Sequence, residues 1–179
     1  MVTAERIRAA VAAVPDPEIR VVTIAELGIL REVSVDGDGS TAVTITPTYV
    51  GCPAMDTIRA DIRAAARRAG APDVRVDTVW SPAWTTRWIG EEARAKLAAA
   101  GIAPPGDLPE SSGDLPEPVG AAPAGTRLLP LAVTGTPPAP ACPRCGGRAE
   151  RLARFGSTAC KSLWRCESCG EPFDHFKEH

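Results

Sequence analysis

The sequence predicts an α+β chain: a small α-β-β-α-β-α domain, a linker, and then a short ribbon gathered by four cysteines. Three observations carry that reading. Through residues 4–101, stretches of period-2 apolar alternation are interleaved with stretches of helical spacing. A proline-rich segment then interrupts all periodicity. Two Cys-x-x-Cys pairs follow, Cys142/Cys145 and Cys166/Cys169, with twenty residues between them.

The elements follow in order. Residues 4–13 predict a helix with Ile7 and Val11 on its apolar side and Thr3 as N-cap. Pro15 and Pro17 end it, so Asp16-Pro17-Glu18-Ile19 must be extended or turning. Thr23 to Gly28 reads as one helical turn closed by the glycine. Residues 29–35 alternate as a strand, Asp36-Gly37-Asp38-Gly39 is a hairpin signal, and residues 41–48 form the return strand. After a tight turn through Gly51 and Cys52, Met55, Ile58, Ile62, Ala65 and Ala69 fall at helical spacing. This predicts a helix over 53–69, stopped by Gly70 and Pro72. Val74, Val76, Thr78 and Trp80 mark a third strand, and residues 91–100 a last helix capped by Gly101. The expected division is residues 1–102, a linker over 103–141, and the ribbon over 142–179. Ten of the eighteen prolines lie in the linker, which favours an extended chain that leaves the two domains uncoupled. Within it, Arg127 to Val133 is a candidate docking strand.

Cys52 is the first chemical candidate. Pro53 suits the first position of a helix, which places Cys52 at or beside the N-cap. Unpaired backbone N–H groups and the helix dipole would lower a thiol pKa there, and Asp56 would oppose them. A reactive thiolate and a small packed residue at a strand–helix corner both fit this pattern. The two Cys-x-x-Cys knuckles are more specific. Each aims two thiolates at one centre, and Gly146 and Gly170 follow directly, as a tight turn wants. Four soft ligands suit tetrahedral Zn²⁺ and leave no open position, so the metal is read as structural. Rubredoxin-like iron is the other metal such a set accepts. A tail with few large apolar residues would draw its folding free energy from that metal.

Cys160 is left over, either packed near the ribbon's hairpin or functional. His175 and His179 are expected to be solvated at the chain end, and Phe173 and Phe176 to pack on the ribbon. Trp80, Trp84 and Trp88 recur every four residues around Pro82, as a core lid or as a docking patch.

The formal charge of −2 gives no reason to expect nucleic acid, and the ribbon's slight basic excess is too small for a phosphate-binding face. No apolar run reaches membrane-spanning length and no secretory signal is seen, so a cytoplasmic protein with reduced cysteines is expected. No phosphate loop or dinucleotide fingerprint is present. A nucleophilic Cys52 would want a base, and both histidines lie beyond the linker.

Several segments together resemble a known family. Asp16-Pro17-Glu18-Ile19, the run from Ile24 to Ile29 and the stretch from Thr44 to Asp56 look like the iron–sulfur assembly domain of SufT-type factors. The run from Trp80 to Ile89, with Phe155 to Lys161 and Glu171 to Lys177, is similar to the phenylacetyl-CoA oxygenase subunits that join such a domain to a four-cysteine ribbon. The chain departs from that pattern at Arg87 and in its long linker. The resemblance implies a non-catalytic accessory role, maturing or supporting the iron centres of a multicomponent ring epoxidase in phenylacetate degradation. Its implied partners are the reductase or oxygenase components, with a homo-oligomer left open. It also implies that Cys52, with Asp16 and Glu18 nearby, holds iron or an iron–sulfur cluster transiently. The alternative is a thiol-dependent enzyme or redox carrier using Cys52.

Overall fold

The structure, a computed structural model, describes residues 4–106 and 139–177. His179 and the candidate docking strand from Arg127 to Val133 lie outside the described residues. Helix α1 (Ala4–Ala12) turns Ile7 and Val11 fully inward. Strands β1 (Leu30–Val35) and β2 (Thr41–Ile45) form the expected antiparallel hairpin, with Val33 opposite Val43. Its turn closes through Gly39 N–H to the Asp36 carbonyl at 3.0 Å, with Gly39 at φ +89°.

Helix α2 (Met55–Arg68) then crosses over so that β3 (Val74–Thr78) runs parallel to β2, giving the order β1-β2-β3. It buries Ile58, Ile62 and Ala66 completely. Helix α3 (Glu91–Ala99) ends at Gly101, φ +78°. Three boundaries differ from expectation, the first being that of β3, which stops at Thr78 instead of reaching Trp80. Strand β2 stops at Ile45 because Pro47 has no N–H to continue the ladder. Helix α2 begins two residues later than predicted, since Pro53 and Ala54 are spent on a turn and Ala54 is the N-cap.

The ribbon consists of β5 (Ala149–Ala153), β6 (Lys161–Cys166) and β7 (Pro172–Phe176). It is not a free-standing unit, and here the expectation of uncoupled domains fails. A short strand, β4 (Ile102–Ala103), leaves α3 and pairs parallel with β7, making one sheet of order β4-β7-β6-β5. Cys160 and Phe176 belong to the same apolar core as Ile24, Ile58 and Leu97. The Phe176 ring meets Trp84 at a centroid distance of 6.0 Å. The ribbon has few large apolar residues, so it completes its burial against the first domain.

Two further expectations change. His175 is not solvated: β7 lies between β4 and β6, and the imidazole is only 7% exposed. Its Nδ1 faces the Ser162 hydroxyl at 3.4 Å, and burial pushes its pKa down to about 4. The three tryptophans divide between the two readings. Trp84 is core and donates its indole N–H to the Leu27 carbonyl at 2.8 Å. Trp88 is half-buried with the Arg31 guanidinium 3.7 Å from its ring centre, and Trp80 is exposed.

Candidate functional site

The loop after α1 is held by a bridge between Pro15 and Thr23 and by Asp16 N–H to the Val22 carbonyl at 2.9 Å. Within it, Asp16 Oδ1 accepts the backbone N–H groups of Glu18 at 2.9 Å and Ile19 at 2.8 Å. The Asp16 carboxyl is therefore the peg of the turn that presents Glu18. Burial raises its pKa, against the pull of those two N–H groups and of the Lys161 ammonium.

Cys52 sits across from this turn, half-buried, in the corner between β2 and α2. It is not at the helix N-cap, so the dipole argument for a lowered pKa does not apply. Its pKa is raised instead. Burial is the main cause, and the charges of Glu18 and Asp16 add to it against donation from the Ala54 N–H. Burial, with the charges of Cys52, Cys160 and Glu18 nearby, pushes the Tyr49 phenol up to about 12. The charges of Glu18 and Asp16 thus reach Cys52, while the Asp16 carboxylate is committed to its own turn.

The structure adds a residue that sequence reasoning left unassigned. Cys160 is buried, with its Sγ 3.0 Å from Thr158 Oγ1 and 3.7 Å from Glu18 Oε2. Burial pushes this thiol up to about 11. Lys161 beside it is buried too, its Nζ 3.5 Å from Asp174 Oδ2. Cys160 was visible as a leftover cysteine, but 142 residues separate it from Glu18, and no local pattern reveals that contact.

The second constellation is the ribbon's own. The sulfurs of Cys142, Cys145, Cys166 and Cys169 all lie within 4.8 Å of one another. Cys142 and Cys169 are 3.9 Å apart, and Cys145 and Cys166 are 3.5 Å apart. A tetrahedral centre with bonds of about 2.3 Å to sulfur needs roughly 3.8 Å between sulfurs, so the set fits Zn²⁺. Gly146 (φ +72°) and Gly170 (φ +75°) make both knuckles by donating to the Cys142 and Cys166 carbonyls at 2.8 and 3.0 Å. The Cys169 N–H holds the Cys166 thiol down to about 6. Cys145, against the pull of the Gly147 N–H, is pushed up to about 12 by hydrogen bonds to Cys166 and Cys169.

An α+β domain of this topology joined to a four-cysteine ribbon defines an iron–sulfur-assembly-type protein with a zinc-ribbon appendage. The comparisons agree on both halves. Residues 4–78 match the family model "Iron-sulfur cluster assembly protein", and residues 130–177 match "PaaD zinc beta ribbon domain". The Escherichia coli (strain K12) protein named as the putative D component of 1,2-phenylacetyl-CoA epoxidase is 41% identical over 165 residues, covering 92% of this chain and 86% of that one. The chain belongs to the PaaD family. The Bacillus subtilis (strain 168) "Fe-S protein maturation auxiliary factor YitW" is 36% identical over 94 residues, 52% of this chain and 91% of its own. A crystal structure titled as a domain of unknown function, DUF59, from Bacillus anthracis is 28% identical, covers 52% of this chain and 90% of its own, and superposes with a TM-score of 0.48. No helix among the described residues is long and apolar enough to cross a membrane.

Proposed function

We propose that this chain is an accessory component of a phenylacetyl-CoA epoxidase system, and that it matures or supports the iron or iron–sulfur centres of that enzyme. The observation that carries this reading is the identity of 41% to an epoxidase D component across nearly the whole chain. Cys52 is the residue that meets the cargo. Asp16 fixes the turn that carries Glu18, whose charge reaches Cys52, and the cargo's positive charge would reverse the opposition of that carboxylate to the Cys52 thiolate. Few protein ligands make a labile site, which suits transfer rather than storage. The ribbon holds Zn²⁺ through Cys142, Cys145, Cys166 and Cys169, and four thiolates leave that metal no open position for chemistry. Its contribution is structural. The partner is the reductase or oxygenase component of the epoxidase.

The alternative, an enzyme or redox carrier acting through Cys52, needs an activated thiolate. Burial and two carboxylates raise the Cys52 pKa, which opposes that activation. The test is to purify the epoxidase from cells that carry the wild-type chain, carry Cys52→Ala, or lack the chain altogether. Iron content and epoxidase activity should fall together in the last two. Full iron loading with Cys52→Ala would overturn the role of this residue, and turnover by the isolated chain that Cys52→Ala abolishes would favour the enzyme.

A further inference from the structure

Among the described residues, β1, β3, β4 and β5 stand at the edges of the two sheets, and β3 differs from the other three. β4 is only two residues long, and β5 breaks register between Arg151 and Ala153. β1 breaks register between Leu30 and Glu32, and the Arg8 Nε–H donates to its Val33 carbonyl at 3.2 Å. Such devices blunt an edge against further pairing. β3 has none of them. It pairs with β2 in unbroken register from Val74 to Thr78 and contains neither proline nor lysine.

The direction of its backbone groups follows from the bonds at its two ends. The Thr41 N–H donates to the Asp73 carbonyl and the Val79 N–H to the Ile45 carbonyl, each at 2.9 Å. Odd-numbered residues of β3 therefore face β2, and Val74, Val76 and Thr78 turn their N–H and C=O groups to the open edge. Val76 is also only half-buried, although its β2 neighbour Val43 is fully buried.

We propose that the occupant of this edge is the β3 of a second copy of the chain, paired antiparallel about Val76 to give a twofold dimer. In that register Val76 meets Val76 and Val74 meets Thr78 as hydrogen-bonded pairs, so the outward backbone groups satisfy one another. Arg75 of each copy then stands opposite Asp77 of the other, in the closer kind of cross-strand pair. Within one copy these two side chains already meet, Nε to Oδ2 at 3.0 Å, and they are 72% and 44% exposed. Pairing joins two such exposed ion pairs into a cluster of alternating charge. A slip of two residues either way sets Arg75 against Arg75 or Asp77 against Asp77, so charge selects the register. Trp80, exposed just past β3, comes opposite Pro72 of the second copy. The β2 exits of the two copies point to opposite ends of the joined sheet, which leaves both Cys52 corners open. Five residues a side make a small interface, so the dimer is a micromolar one.

The test is sedimentation equilibrium of the full, zinc-loaded chain from about 1 to 500 µM. Wild type should pass from monomer to dimer as the concentration rises. Arg75→Asp sets two carboxylates opposite each other and Asp77→Arg two guanidinium groups, so each should raise the dimer dissociation constant about tenfold or more. Mixed in equal amounts, these two variants should form a heterodimer, since each supplies the charge the other lacks. The chain carrying both changes should dimerise alone. Val76→Pro removes an N–H that β2 does not use and should abolish the dimer. Zinc content and melting curves confirm the fold of each, and the charge changes decide the matter if Val76→Pro unfolds. A wild-type chain that stays monomeric overturns the proposal, including where Val76→Pro instead weakens its binding to an epoxidase component. Dimers of wild-type strength in both charge variants overturn it too, as does a mixture that associates no better than either variant alone.

Discussion

Acid should unfold this protein through His175. Burial holds its folded pKa at about 4, whereas an unfolded chain titrates near 6.5. The folded pKa of a base is depressed, so the folded chain prefers neutral imidazole and the unfolded chain takes up the proton first. The unfolded state therefore binds more protons between these two values, and stability falls as the pH drops from about 6.5 toward 4. A gap of roughly 2.5 units corresponds to about 3 kcal/mol. His175→Gln keeps a polar group facing the Ser162 hydroxyl and removes the titration. The assay is urea unfolding of both proteins at a series of pH values between about 7.5 and 4. Zinc loss in acid and the titration of Asp16 occur in both and cancel in the difference. Wild type should lose about 3 kcal/mol more than the variant over that range. Parallel curves would show that the imidazole is not held neutral by burial, and the placement of β7 inside the sheet would then be wrong.

Two other substitutions probe the framework. Phe176→Ala empties a ring that is 1% exposed and shared by ribbon and core, and should cost about 3–5 kcal/mol. Tryptophan fluorescence and zinc release should shift together in that variant; a ribbon that melts alone over an unmoved first domain would refute the shared core. Gly28→Ala would strain a residue at φ +70° and bring its Cβ to 2.6 Å from Trp88 Cβ, for a loss of roughly 2–4 kcal/mol. An unchanged melting temperature would mean that the loop closed by Gly28 does not pack on Trp88.

The sequence by itself determined what depends on near neighbours. Alternation through Val33 and Val43, helical spacing from Met55 to Ala69, and the glycines at 39 and 101 place each element of the first domain, because backbone geometry repeats every few residues. The four-cysteine set was legible for the same reason, since two knuckles carry their spacing and their turn glycines with them. Cys52 stood out as a candidate through its place before Pro53, and Asp16 and Glu18 through the resemblance of their segment to a family. Only the tertiary structure decided the rest. It moved Cys52 off the helix cap, where the start of α2 depends on how Pro53 and Ala54 turn in a packed corner. Burial then reversed the expected sign of the Cys52 shift. It turned His175 inward and docked the ribbon through β4, Phe176 and Trp84. It also set Cys160 against Glu18 across 142 residues. Contacts of that range follow from which surfaces exclude water together, and no stretch of sequence carries that information alone.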